Sequence, residues 1–233
     1  MGQIETPKIL AVDTSSMTGS VALCEGDKLV AESLLNVRAT HSEKLLQQID
    51  LLLQEAGWKL NDVDLLVAVT GPGSFTGLRI GIATVKGLAQ VLNKPVVGVS
   101  SLQMVALNVP VNPLPVCVFI DARKKEVYTQ QFDVSHDFPV ALNAAQVLPP
   151  ERVLEALPQR VVLVGDAVPL YRSLIEEQQE DTLLLAPATA HQPRASQAAW
   201  LGLQNYLRGE VIGPVELLPT YIRPSDAELS KTK

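Results

Sequence analysis

Short apolar runs separated by turn-forming residues fill the first hundred positions of the chain. This alternation predicts β-strands at 8–14, 19–24, 28–35, 64–70 and 95–99. Apolar residues at helical spacing predict a helix from Thr40, its N-cap, to about Ala56, with Glu43 at the third helical position and Gly57 ending it. A longer helix is predicted from about 74 to 92. The first half therefore has the element order βββαβαβ.

The second half repeats this order. Its strands are predicted at 115–121, 126–133, near 138–142, 160–164 and 182–186. Its helices are predicted at 150–157, 168–178 and 195–208. The Pro-rich segment 109–115 is the expected boundary between the two halves. We therefore predict two related lobes at 1–108 and 109–212 and a partly flexible tail at 213–233. Each lobe is expected to be α/β, with a mixed sheet flanked by helices.

Composition and charge narrow the class of protein. Of 233 residues, 47% are hydrophobic and 19% charged, which is enough to build a sizeable core. Nineteen Lys and Arg against 25 Asp and Glu give a net charge of −6, so tight RNA binding by this chain alone is disfavoured. Cys24 and Cys117 lie in apolar runs and are expected in the core rather than in a disulfide or metal site. Without a signal-peptide core or a long apolar stretch, we expect a soluble, cytoplasmic protein.

A Gly-rich segment, Thr70–Arg79, lies between a predicted strand and the long helix. Its backbone amides could hold an anion at the helix start, or it could be a tight turn with Ser74 as the N-cap. It is not a Walker loop, because Leu78 and Arg79 stand where that loop needs Lys and Ser or Thr.

Other groups capable of catalysis are few. Asp13 and Asp121 each end the first strand of a half, and they are either paired acids across a cleft or two residues that each close a β-turn. The histidines, His41, His136 and His191, are far apart and lack metal-ligand spacing, and no Ser-His-Asp arrangement is evident. The residues alone thus predict no catalytic, metal or cofactor site.

The two first-half helices carry more apolar surface than one sheet face can bury. In the longer helix, a stripe of small residues would let another helix approach closely. That partner is either the preceding helix or a second chain. The predicted partner-interface residues are Leu45, Leu46, Ile49, Leu53, Phe75, Gly77, Leu78, Gly81, Thr84 and Leu88.

Four segments together resemble one protein family. They are ILAVDTS at 9–15, HSE at 41–43, GPGSFTGLRIG at 71–81 and DARKKEVY at 121–128, and they resemble the bacterial TsaB (YeaZ) proteins. The resemblance implies a two-lobed actin/Hsp70/sugar-kinase-like (ASKHA, RNase H-like) fold. It also implies a non-catalytic scaffold and partner of the homologous enzyme TsaD, which transfers a threonylcarbamoyl group to N6 of adenosine 37 in tRNAs that read ANN codons. TsaC-type enzymes make the threonylcarbamoyl-adenylate, and the ATPase TsaE completes the set.

The chain departs from the enzyme branch at its metal and nucleotide positions. The enzyme branch has Asn-His-Leu-Glu-Gly-His after a strand ending in Gly-Val, whereas here Ser101 and Val105 replace the two histidines. The candidate adenosine loop has one glycine, Gly165, followed by Asp166, whose charge would repel phosphate. An accessory subunit without catalytic residues, metal or cofactor is therefore expected, with an ATP-dependent phosphotransferase and a metallopeptidase as alternatives.

The resemblance also implies the partners. The two-helix surface would pair with a second copy in the isolated chain, and TsaD would displace that copy through the same surface. TsaE would join in a ternary complex, tRNA would be contacted only indirectly through the complex, and no membrane would be involved.

Overall fold

The computed structural model describes residues 6–36, 41–157, 160–177 and 183–223, apart from the side chains of 41–43. Thr40, the predicted N-cap of the first helix, lies outside these residues. The strands are β1 Lys8–Asp13, β2 Thr18–Glu25, β3 Lys28–Asn36, β4 Leu65–Gly71, β5 Val96–Ser100, β6 Val116–Asp121, β7 Val127–Asp133, β8 Val140–Ala141, β9 Gln146–Leu148, β10 Val161–Val164 and β11 Leu183–Leu185. The helices are α1 His41–Glu55, α2 Phe75–Leu92, α3 Ser101–Ala106, α4 Pro150–Glu155, α5 Arg172–Glu177 and α6 Ala195–Leu207.

The first sheet has the strand order β3-β2-β1-β4-β5. β1 pairs antiparallel with β2 and parallel with β4, which makes the sheet mixed as predicted. One face carries Leu10, Val12 and Leu66, which form a core with the apolar sides of α1 and α2. β1 is buried on both faces, which is why it reads as a continuous apolar run rather than an alternating one.

Helix α6 covers strands of this first sheet rather than the second. Gly202 allows the close approach, because a Cβ there would lie 2.3 Å from a side-chain carbon of Val67 in β4. The predicted second lobe, 109–212, included this helix, and the structure places it with the first sheet instead. The helix was predicted at 195–208 and lies at Ala195–Leu207, but amphipathic spacing does not tell which sheet a helix covers.

The second sheet repeats the topology of the first. Its strand order is β11-β10-β6-β7-β8, and β9 also pairs with β7. These five strands therefore occupy the same positions, in the same order, as β5-β4-β1-β2-β3 of the first sheet. The core here includes Cys117, Phe119 and Leu163, with Ile175 of α5 packed among them. The predicted duplication of α/β order is therefore present in the pairing of the strands.

The chain divides into two compact units. Unit 1 comprises Met1–Met104 and Pro193–Pro219, and unit 2 comprises Val105–Gln192 and Thr220–Lys233. Part of the predicted flexible tail packs in unit 1, where Leu217 is fully buried in the core. Two short elements, α3 and β9, were not predicted, because six and three residues give too little periodicity to detect.

Candidate functional site

The Gly-rich segment forms a tight turn between β4 and α2. Ser74 is the N-cap of α2, and its Oγ accepts a hydrogen bond from the Gly77 amide at 3.2 Å. The Ser74 amide donates to the Ser15 carbonyl at 2.7 Å. The amides of Ser74 and Gly77, at the start of α2, thus already donate hydrogen bonds within the chain. This geometry agrees with the turn interpretation rather than with an anion-binding loop.

Three glycines of this segment and of α2 bring the helix close to the β1–β2 turn. A Cβ at Gly73 would lie 2.3 Å from the Ser15 carbonyl oxygen, and one at Gly77 would lie 2.0 Å from the Thr14 carbonyl oxygen. A Cβ at Gly81 would lie 2.4 Å from Thr14 Oγ1. Thr14 Oγ1 also donates to the Gly77 carbonyl at 2.7 Å. The small-residue stripe therefore serves a contact within unit 1.

This placement leaves only some of the predicted interface residues exposed in the isolated chain. Six of them are buried in unit 1 and face their own core or the β1–β2 turn: Leu45, Ile49, Leu53, Gly77, Leu78 and Gly81. Leu46 is 58% exposed, and Phe75, Thr84 and Leu88 are half-buried. Helical spacing identified both stripes of α2, but not that the glycine stripe meets Thr14, which is distant in sequence.

The outward side of α2 carries mostly uncharged, small or apolar residues. Its exposed residues are Thr76, Arg79, Ala83, Gly87, Gln90 and Val91. The Arg79 guanidinium lies over the Phe75 ring, 3.7 Å from its centroid. Gly87 faces open space, since a Cβ there would meet no atom within 4 Å. This side, which we call the outer face of α2, replaces the glycine stripe as the candidate contact surface.

Ser101 and Val105, which replace the two histidines of the enzyme branch, are both buried. Ser101 is fully buried, and its Oγ donates to the Pro72 carbonyl at 2.5 Å, which ties the first residue of α3 to the Gly-rich turn. Val105 is 1% exposed and fills core space. Among the residues that the structure describes, no three His, Cys, Asp or Glu are grouped so that they could hold a metal ion.

Asp13 and Asp121 each close a turn. Asp13 Oδ1 accepts the Ser15 amide at 2.8 Å, and Asp121 Oδ1 accepts the Arg123 amide at the same distance. A carboxylate that accepts the amide two residues ahead is an Asx turn. The turn-closing interpretation is confirmed for both residues.

The candidate adenosine loop of unit 2 is engaged in internal contacts. Gly165 has a φ of +126°, and a Cβ there would lie 2.0 Å from the Phe119 carbonyl oxygen. Its amide donates to His191 Nδ1 at 3.3 Å, and Asp166 accepts the Asp121 amide at 3.0 Å. Burial raises the pKa of Asp166 to about 6. Burial, with the Arg172 charge, lowers the pKa of His191. The candidate adenosine loop therefore packs against its own unit at the end of β10.

The cysteines and the remaining histidines complete the groups considered in the sequence analysis. Cys24 and Cys117 are free and buried, as predicted, and burial raises the pKa of each thiol to about 12. His136 is exposed and His191 is buried, and the side chain of His41 lies outside the described residues.

Comparison with known proteins agrees with this architecture. The family model described as "TsaD: tRNA N6-adenosine threonylcarbamoyltransferase" matches residues 35–231. The TsaB protein of Bacillus subtilis is 31% identical over 94% of this chain and 96% of its own length. That of Haemophilus influenzae is 32% identical over 92% of this chain and 93% of its own. Both are named tRNA threonylcarbamoyladenosine biosynthesis proteins.

Solved structures agree as well. YeaZ from Pseudomonas aeruginosa superimposes with a TM-score of 0.79 at 31% identity, covering 92% of this chain and 99% of that one. Component A of (R)-2-hydroxyglutaryl-CoA dehydratase from Acidaminococcus fermentans has a TM-score of 0.54 at 13% identity over 87% of this chain and 100% of that one, and shares the fold alone. The fold is thus of the actin-like, sugar-kinase (ASKHA) type. In the part of the chain that the structure describes, no helix has the length and apolarity to span a bilayer. The chain belongs to the TsaB family of tRNA threonylcarbamoyladenosine biosynthesis proteins.

Proposed function

We propose that this protein is a non-catalytic, activating subunit of a TsaD-type transferase in threonylcarbamoyl transfer to N6 of adenosine 37 of tRNA. The single observation that carries the proposal is the pair Ser101 and Val105. A buried serine whose hydroxyl donates to Pro72 and a buried valine stand where the enzyme branch carries two metal-binding histidines. A hydroxyl is a poor ligand for a divalent transition metal, and an isopropyl group is none.

The nucleotide loop supports the same proposal. The Gly165 amide and the Asp166 carboxylate have partners inside unit 2, so neither is directed at a phosphate. A carboxylate at this place would also repel a phosphate when ionised. These contacts weigh against the phosphotransferase alternative, and the missing ligand pair weighs against the metallopeptidase alternative.

The outer face of α2, together with Leu46 of α1, is the surface we assign to partner binding. Its exposed residues are small, apolar or uncharged except for Arg79, and Val91 is 83% exposed. A surface that two proteins of the same fold share can pair with a second copy of itself or with the matching helices of the homologue. The isolated chain is then a homodimer in the cytoplasm, and TsaD displaces one copy. TsaE binds the resulting pair, and a TsaC-type enzyme supplies the threonylcarbamoyl-adenylate.

Reconstitution tests this function. The chain, TsaD, TsaE and a TsaC-type enzyme from one organism are purified, and threonylcarbamoyl incorporation into unmodified tRNA is measured with each protein omitted in turn. We expect no transfer by the chain alone, and a loss of at least tenfold when the chain is omitted. Co-elution of the chain with TsaD on size exclusion is the binding readout.

Two outcomes would contradict the proposal. Transfer by the chain without TsaD would make it an enzyme, and undiminished transfer in its absence would remove it from the reaction. Calorimetric titration of the isolated chain with ATP and a divalent metal addresses the phosphotransferase alternative, for which we expect no heat of binding. A casein cleavage assay with a chelator control addresses the metallopeptidase alternative in the same way.

A further inference from the structure

A side chain joins the ends of β6 and β10 beyond their last paired residues. The parallel pairing of the two strands ends at Val118 and Val164. Past this pair, the amide of Asp121, the last residue of β6, donates to Oδ1 of Asp166 at 3.0 Å. The Asp166 carboxyl group therefore takes the place of the backbone carbonyl that a longer strand would supply.

Asp121 also holds the base of the turn between β6 and β7. Its carboxylate accepts the Arg123 amide at 2.8 Å and pairs with the Arg123 guanidinium at 3.0 Å. The turn has positive φ at three consecutive non-glycine residues, +59° at Arg123, +54° at Lys124 and +60° at Lys125. Side chains rarely adopt this conformation, so contacts from outside the turn must hold it. The bond from Asp121 to Asp166 is one of these contacts, and it connects the turn to the end of β10.

Asp166 lies where a negative charge is poorly stabilised. The residue is half-buried, and the Asp121 side chain beside it, 13% exposed, is a second carboxylate. Burial, together with the Asp121 charge, raises the pKa of Asp166 to about 6, although the bond from the Asp121 amide and the Arg123 charge oppose this shift. The Arg123 side chain is 66% exposed, so water screens its charge. When Asp166 is ionised, two carboxylates therefore share one screened cation.

Four more titratable or charged side chains act around this loop. They are Glu151, Tyr171, Arg172 and His191. Burial and the two nearby carboxylates raise the pKa of Tyr171, so its hydroxyl stays neutral below pH 8. Burial and the Arg172 charge lower the pKa of His191, whose Nδ1 accepts the Gly165 amide at 3.3 Å. Protonation of His191 would break that bond at acid pH, so it would open the loop in the direction opposite to ionisation of Asp166.

We propose that Asp166, Asp121 and Arg123 form a proton-linked latch that holds the base of the β6–β7 turn against the end of β10. With a proton on Asp166, its carboxyl oxygen accepts the Asp121 amide and only one carboxylate acts on Arg123. When the proton is lost to solvent, the new carboxylate is better stabilised in water than beside Asp121, and the loop and the turn open more often. The latch goes beyond the proposed function, because it is a property of the chain without any partner.

Amide hydrogen exchange of the full chain, followed by NMR and corrected for intrinsic rates, tests the latch. Asp166 has a pKa of about 6 in the closed form and returns to 3.8 when opening exposes it. We therefore expect the opening constant of the Asp121 amide to rise about tenfold from pH 5 to pH 7.5. Asp166→Asn, which keeps an acceptor oxygen, should reduce this rise to less than about twofold.

Asp133 provides the matched control in the same unit. Its Oδ1 accepts the Ser135 amide at 2.8 Å, and the Ser135 contacts lower its pKa, so it stays ionised throughout the range of the experiment. The opening constant of the Ser135 amide should therefore not change between the two pH values. Asp133→Asn should leave the rise at the Asp121 amide intact.

The outcomes support or overturn the latch. An opening constant of the Asp121 amide that does not rise with pH, or that rises equally in Asp166→Asn, overturns it, and a fall with pH would assign the control to His191. NMR titration of the Asp166 carboxyl carbon in the wild-type chain does not depend on the variant's folding. A midpoint near 6 supports the latch, and one near 4 overturns it. Neither measurement involves TsaD, so failure of the latch and failure of the proposed function are distinguishable.

Discussion

Two glycines of α2, Gly81 and Gly87, lie six residues apart on different sides of the same helix. A Cβ at Gly81 would lie 2.4 Å from Thr14 Oγ1, whereas one at Gly87 would meet nothing within 4 Å. We expect Gly81→Ala to lower the free energy of unfolding by about 1 to 3 kcal/mol, because the helix or Thr14 must move. Gly87→Ala should raise it by up to about 1 kcal/mol through helix propensity. Urea unfolding measures both, and a stabilising Gly81→Ala would contradict the close contact with Thr14.

Asp166 makes the free energy of unfolding depend on pH, and the shift of its pKa gives the sign of that dependence. Burial raises its pKa from 3.8 to about 6 in the folded chain, so the folded state holds this proton more tightly than the unfolded state does. Its contribution to stability is fully present below about pH 4 and is lost as the pH rises through about 6. Asp166→Asn keeps an oxygen that can accept the Asp121 amide and removes the buried charge.

We therefore expect Asp166→Asn to be more stable than wild type by about 1 to 2 kcal/mol at pH 7.5, with a smaller difference at pH 4.5. Urea unfolding at the two pH values measures this, with circular dichroism as the readout. Asp133→Asn is a control for loss of a carboxylate, because the Ser135 contacts lower the pKa of that exposed group and the substitution should not stabilise the chain at pH 7.5. An equal difference at both pH values would argue against a buried, protonated Asp166.

At the scale of an element, α6 depends on strands β2 and β3 for its N-terminal caps. Its N-cap residue, Arg194, makes no side-chain cap. Instead Ser20 Oγ accepts the Ala195 amide and Glu32 accepts the Ser196 amide, both at 2.9 Å. The side chains of the sheet thus satisfy amides that the helix leaves open. Arg194 pairs with the same Glu32 carboxylate.

We expect Glu32→Ala to reduce the free energy of unfolding by about 1 to 2 kcal/mol, because it removes the cap and the ion pair together. Glu32→Gln retains an acceptor for the Ser196 amide and should lose less than half as much. Urea unfolding of the two variants gives the comparison. Equal losses would assign the whole effect to the charge rather than to the cap.

The elements themselves were largely predictable from the sequence, and their partners were not. The apolar spacing of α2 and the N-cap Ser74 gave its bounds to within a residue. The same spacing could not tell that Gly81 faces Thr14, since this contact joins residues 67 positions apart. Likewise, nothing in residues 195–208 indicates Glu32 as the cap of α6. Contacts between distant segments, including those of Ser101 with Pro72, depend on tertiary packing that periodicity does not encode.

For the whole molecule, the outer face of α2 is the surface to test. Gly87→Arg places a long cation on this face without a clash, and helix propensity should keep the chain folded. We expect the variant to be monomeric by light scattering and at least tenfold weaker in binding TsaD, because the charge would lose its hydration in the interface. Ser173→Arg, an exposed helical position of unit 2, is the matched control and should leave both unchanged. A dimeric Gly87→Arg that still binds TsaD would exclude this face.

The return of α6 to the first sheet has a consequence for synthesis on the ribosome. Unit 1 is built from both ends of the described chain, with residues 105–192 inserted between its parts. At roughly 5 to 20 residues per second, on the order of ten seconds separate the emergence of the first sheet from that of the helix that covers one of its faces. During that interval Val67 and its neighbours on β1 and β4 lack the cover that α6 gives them. A nascent chain of this protein therefore exposes an apolar sheet surface to chaperones until residues 195–207 have left the ribosome.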